Sequence, residues 1–145
     1  MITADKMSNA QYHATEAISS SDVKAVHGKS LAHWKHRAAF KPTIAMAIGT
    51  AVHDMCLENG ENTVRGGADR RGKQWSDAFA EAEAHGHLLL TAGDYDLARN
   101  VADSVMFHPV GAKMAGPDTV NEASFFAKCP MTGLDIKCRP DSYDE

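Results

Sequence analysis

The chain has little that would staple, span or steer it by special means. Only three of its 145 residues are cysteine (Cys56, Cys129 and Cys138), their number is odd, and they form no CxxC pair. That spacing spells neither a disulfide framework nor a zinc ribbon, and buried thiols in a reducing compartment are the simpler expectation. No apolar run approaches the ~20 residues of a membrane-spanning helix. The N-terminus lacks the charged-then-apolar pattern of a secretion signal. A soluble, cytoplasmic protein with no membrane partner is therefore expected. A positive balance is missing too: the formal net charge is −4, which argues against a simple electrostatic DNA binder but leaves room for a local basic groove. There are no internal repeats and no low-complexity segments. What remains is an ordinary globular composition, 43% hydrophobic and 23% charged, long enough to bury a core, and one domain over 1–145 is the simplest organisation.

Residues 1–18 read as an irregular lead-in, with Tyr12 and His13 its only ring side chains up to Thr15. Residues 19–116 read as helical. Ser19 to Asp22 make a helix start with an acid in the first turn, and Gly28 stops it. Ser30 caps a second helix running to Phe40. Thr43 to Asn59 is the strongest helical pattern, with Ile44, Ile48, Ala51, Val52 and Met55 at helical spacing, His53 just off that stripe, and Gly60 at the C-terminal cap. A Gly- and Arg-rich loop leads to a helix over Lys73–His85. Thr91 and Asp94 then start another, with Leu97, Val101 and Val105 expected inward and His108-Pro109 ending it.

Residues 119–142 read as a β-hairpin folded over Pro130-Met131-Thr132-Gly133. A turn centred between Met131 and Thr132 sets Phe125 opposite Cys138, Phe126 opposite Lys137, Ser124 opposite Arg139 and Glu122 opposite Asp141. Leu134, Ile136 and Cys138 share a largely apolar face, expected against the helices. The face with Glu122, Lys137, Arg139 and Asp141 is polar. The fold class is α+β, a helical N-terminal region packed on a hairpin. One unpaired hairpin edge would be ready for a further strand.

Two carboxylates that face each other repel unless a cation or a proton lies between them. Glu122 and Asp141, joined by His53, would offer oxygen and imidazole ligands suited to Mg²⁺ or Mn²⁺. The blander alternative is a pair of solvent-facing acids offset by Lys137 and Arg139, with His53 a hydrogen-bonded core residue. Arg65, Arg70, Arg71 and Lys73, in the most basic stretch, are candidates for phosphate contacts, against the alternative of a solvated, mobile loop. Trp34 and Trp75 fit core positions better than base-stacking ones.

Four stretches carry a resemblance: the run YHATEAISSSDVKAVHGKSLAHWKH from Tyr12, IGTAVHDMCLEN from Ile48, LTAGDYDLARNVADSVMFHP from Leu90 and NEASFFAKCPMTGLDIKCRPD from Asn121. In this order they resemble the catalytic domain of RecE-type phage and prophage exonucleases (exonuclease VIII-like), within the PD-(D/E)xK nuclease superfamily. The resemblance implies that His53 and Asp141 bind the metal and that Glu122 lies beside the site, all three serving the catalysis. It also implies Mg²⁺ or Mn²⁺, double-stranded DNA as substrate, a homo-oligomer, and a bacterial host cell. The family's following strand brings an acid, one residue and a lysine, and nothing here matches them, since Asp144 and Glu145 crowd Asp141. The implied fold is then an incomplete nuclease core. The expected function is part of, or a shortened relative of, a 5′–3′ double-strand DNA exonuclease used in recombination, largely inactive as this chain stands. The alternative is a catalytically incomplete phage protein acting as a binding inhibitor or decoy of host DNA-processing or defence machinery, with a protein partner on the exposed hairpin edge.

Overall fold

Short polar side chains set where most of the helices begin. In the computed structural model, which describes residues 3–5, 7–38, 42–116 and 118–144, Ser8, Ser19, Ser30, Thr43 and Thr91 each accept a backbone N–H three residues on. Each thereby satisfies one of the amides that a helix start leaves without a partner. The described chain is α+β and falls into two compact units, residues 1–40 with 118–145, and 41–117.

The first unit opens with strand β1 (Thr3–Asp5) and helices α1 (Asn9–Ala14), α2 (Ser20–Gly28) and α3 (Leu31–Lys35). The second unit follows with α4 (Ile44–Leu57), β2 (Thr63–Arg65), α5 (Gly72–Ala84), β3 (Leu88–Leu90), α6 (Ala92–Phe107) and α7 (Pro109–Met114). The chain then returns to the first unit with β4 (Thr119–Asn121), β5 (Ser124–Lys128), β6 (Asp135–Cys138) and β7 (Ser142–Asp144).

Several expectations are corrected here. The lead-in holds a strand and a helix, because Ser8 and Gln11 form a reciprocal capping box and β1 finds a partner in β5. The helical stretch contains β2 and β3, a parallel pair crossed over by α5. The helix from Ser30 gives way at His36; Phe40, its expected end, lies outside the described residues.

The second unit buries small side chains. Ala51 of α4, Leu90 of β3 and Ala98 of α6 are wholly inaccessible, with Ile48, Val52, Met55 and Tyr95 packed around them. Alanines let α4 and α6 approach closely, so the inward face of α6 is Ala98 and Ala102. Leu97, Val101 and Val105, expected inward, are 51%, 41% and 40% exposed. The helix is turned by about one residue from the phase its larger side chains suggested. Two glycines are fixed by close approach. A Cβ on Gly66 would lie 2.8 Å from the Leu90 carbonyl and from the Trp75 ring, and one on Gly111 would run into the Val105 carbonyl.

In the first unit the hairpin register is the expected one: Phe125 faces Cys138, Phe126 faces Lys137 and Lys128 faces Asp135. The pairing resumes beyond a break, with Asn121 opposite Ser142 and Val120 opposite Tyr143. The edges of the β5–β6 part of the hairpin are partly covered. β1 runs antiparallel along β5, and Ile18 bridges β6 at Ile136, donating to the Asp135 carbonyl and accepting from Lys137 N–H. At these positions the expected docking edge is thus occupied by the chain itself. The faces are also exchanged. Tyr12 packs on Phe126, Ser124 is fully buried and Lys137 is 9% exposed, whereas Leu134 and Ile136 of the apolar face stay 51% and 39% exposed.

Candidate metal-binding carboxylates of the hairpin

The break in the hairpin falls at the two acids singled out by the register. Glu122 N–H donates to the Asp141 carbonyl at 3.2 Å, so the residues do face each other across the ladder. Glu122 has φ 59°, a left-handed conformation uncommon for a residue with a side chain. This kink separates β4 from β5 and re-aims the carboxylate, which straight alternation could not reveal. Such strain, where it persists in a fold, concentrates at functional positions.

Arg139 answers the Glu122 charge. Its Nε lies 2.6 Å from Glu122 Oε2 and 3.0 Å from the Glu122 carbonyl, in a pair whose side chains are only 11% and 18% exposed. Arg139 Nη2 also donates to the Met7 carbonyl, and the guanidinium lies 5.7 Å from the Tyr12 ring centre. Lys137, expected to offset the same acids, does not. Its ammonium donates to the Tyr12 carbonyl at 2.7 Å and the Thr15 carbonyl at 2.8 Å, over the Tyr12 ring. A cation at the C-terminal end of α1 complements the carbonyls left there. Burial, followed by the field of Cys138, raises the Tyr12 phenol above its ordinary value.

Asp141 is exposed and Glu122 half-buried. Beside them Asn121 Oδ1 is buried and accepts no hydrogen bond among the described residues. A buried acceptor in that state calls for water or a cation. The oxygen-rich surroundings fit a hard divalent ion better than zinc.

His53 belongs to the second unit, half-buried on α4 between Val52 and Asp54. Its neighbour Asp54 is 5% exposed and fully engaged. Asp54 Oδ1 accepts from Asn62 N–H and Nδ2–H, and Oδ2 accepts from the Thr63 hydroxyl at 2.7 Å. Asp54 therefore ties the end of α4 to β2 and has a structural use.

The basic stretch proves largely committed. Arg65 forms a two-pronged pair with Asp96 at 2.9 and 2.8 Å, and Arg70 reaches Asp94 at 2.9 Å and lies over Trp75. The hydrogen bond with Asp96 raises the Arg65 guanidinium further and lowers the Asp96 carboxyl. Arg71 is the residue before α5, its N–H donating to Asp69, and Lys73 is exposed in the first turn of that helix. Two of the four candidates for phosphate contact, Arg65 and Arg70, thus already pair with carboxylates.

Sequence reasoning missed one buried ionic centre. Asp22 Oδ1 accepts from the Trp34 indole at 2.7 Å and from Arg37 at 3.0 Å, while Oδ2 accepts from the Ser19 N–H and hydroxyl. Burial alone would raise this carboxyl. The hydrogen bonds from Trp34, Ser19 and Arg37 outweigh it and hold the group far below the usual carboxylate range. The capping pattern Ser19-x-x-Asp22 was the visible part of that signal.

Among the described residues no helix is long and apolar enough to cross a membrane. Compared with known protein families, curated proteins and solved structures, the chain matches none.

Proposed function

We propose that the chain carries part of a divalent-metal nuclease centre acting on duplex DNA, in the manner of the RecE-type exonucleases its motifs resemble. The observation that carries the reading is the strained Glu122 set opposite Asp141 at the one break in the hairpin ladder. His53, Glu122 and Asp141 each offer one ligand atom, an imidazole nitrogen and two carboxylate oxygens. Asp141 and His53 are the proposed ligands of Mg²⁺ or Mn²⁺, and Glu122, held by Arg139, orients the hairpin beside them. An ion in such a set activates water and offsets the charge that develops on a phosphodiester.

An ion held in this way would support hydrolysis of the phosphodiester linkages of duplex DNA. End-labelled linear duplex DNA incubated with Mn²⁺ checks this. The expected outcome is chelator-sensitive loss of label that disappears in Asp141→Ala. Label loss equal in the wild type and Asp141→Ala, or none in either, would overturn the reading.

A further inference from the structure

The first unit carries a second feature, a groove of about 470 Å³ between α2 and the segment that follows it. Lys24 and Gly28 line it from α2 and Lys29 from the cap that follows; His33, Trp34 and Arg37 line the other side, with two alanines completing the walls. The size is within the ~300–1,000 Å³ typical of small-molecule sites.

Among the described residues no carboxylate lines this groove. Arg37 is matched by Asp22 beneath it, whereas Lys24 and Lys29 have no ion pair among the described residues. Lys29 Nζ lies 3.2 Å from His33 Nε2. An ammonium can only donate, so the ring accepts at Nε2 and carries its proton on Nδ1. Trp34 is pinned as a wall by its indole bond to Asp22 and by Arg37, whose guanidinium lies 5.9 Å from the ring centre. At Gly28 a Cβ would meet nothing within 4 Å, so the absent side chain leaves the groove open.

Two lysines with no ion pair among the described residues, beside a fixed aromatic wall, are suited to an anion with a flat body. We propose that this groove binds a small organic phosphate, its phosphate on Lys24 and Lys29 and its planar ring system against Trp34. The site is independent of the metal-binding reading and uses none of its residues.

Calorimetric titration of the full chain in a metal-free, chelator-containing buffer tests it, with adenosine monophosphate, inorganic phosphate and adenosine as probes. Adenosine monophosphate should bind, inorganic phosphate more weakly, and adenosine not measurably. The double variant Lys24→Ala, Lys29→Ala should weaken adenosine monophosphate binding at least roughly tenfold, as expected when charge-assisted contacts are removed. Gly28→Leu fills the groove while keeping every charge and should also weaken it. Circular dichroism confirms that each variant is folded. The proposal is overturned if adenosine binds as tightly as its monophosphate, if adenosine monophosphate does not bind, or if either variant leaves the affinity unchanged.

Discussion

The two units of this chain are built on different interiors. The second is closed by volume, with Ala51, Leu90 and Ala98 buried and apolar neighbours around them. The first is closed by charge. Asp22 gathers Ser19, Trp34 and Arg37; Lys137 gathers the carbonyls of Tyr12 and Thr15; Arg139 holds Glu122. A volume-closed unit responds to changes of size, and a charge-closed unit to changes of pH and of hydrogen-bonding partners. The polar unit is also the one that carries the facing acids. Buried charge is costly unless it is paired, so holding Glu122 in place requires the Arg139 partner beside it.

The largest effect is expected where volume is removed. Leu90→Ala should destabilise the protein by about 2–5 kcal/mol, because a fully buried leucine leaves a cavity that the surrounding helices fill only in part. Denaturant unfolding reads this directly. A loss near that of an exposed substitution would contradict the volume account of the second unit.

A smaller and pH-dependent effect is expected at Asp22. Its folded-state carboxyl titrates below the ordinary range, so its stabilising contribution is present above the unfolded value near ~3.9 and is lost as pH falls through the folded one. Asp22→Asn should therefore be less stable than the wild type at neutral pH, with the gap closing only in strong acid. A gap that is the same at pH 7 and in strong acid would contradict the ionic account of this centre.

Much of the hairpin was legible in the sequence. A period of two and a Pro-Met-Thr-Gly turn fix the pairing of Phe125 with Cys138, and they place Glu122 opposite Asp141. The kink at Glu122 was not legible, since backbone strain leaves no periodic trace. The phase of α6 was misread because the pattern rewards Leu97 and Val101, while tight packing against α4 selects Ala98 and Ala102. Strand β1 has three residues, too few to show alternation, and only its partner β5 makes it a strand. The partners of Asp22 lie 12 and 15 residues away on a separate segment, beyond what local capping rules can reach.

The cysteines give the smallest effect and sharpen the contrast between the units. Hydrogen bonds from Thr132 and from the turn backbone lower the Cys129 thiol, whereas burial and then the field of Asp103 raise Cys56. Alkylation mapped by mass spectrometry near neutral pH should label Cys129 before Cys56, since the thiolate is the reactive form. The reverse order would contradict this assignment.

The central claim, that the hairpin acids serve a divalent ion, is tested most directly by Mn²⁺ binding followed by electron paramagnetic resonance. The wild type should remove free Mn²⁺ at one saturable site. Asp141→Ala should abolish that binding, His53→Ala should weaken it strongly, and Glu122→Gln should weaken it less. Wild-type protein that leaves the free Mn²⁺ signal unchanged, or Asp141→Ala that binds as the wild type does, would contradict the account.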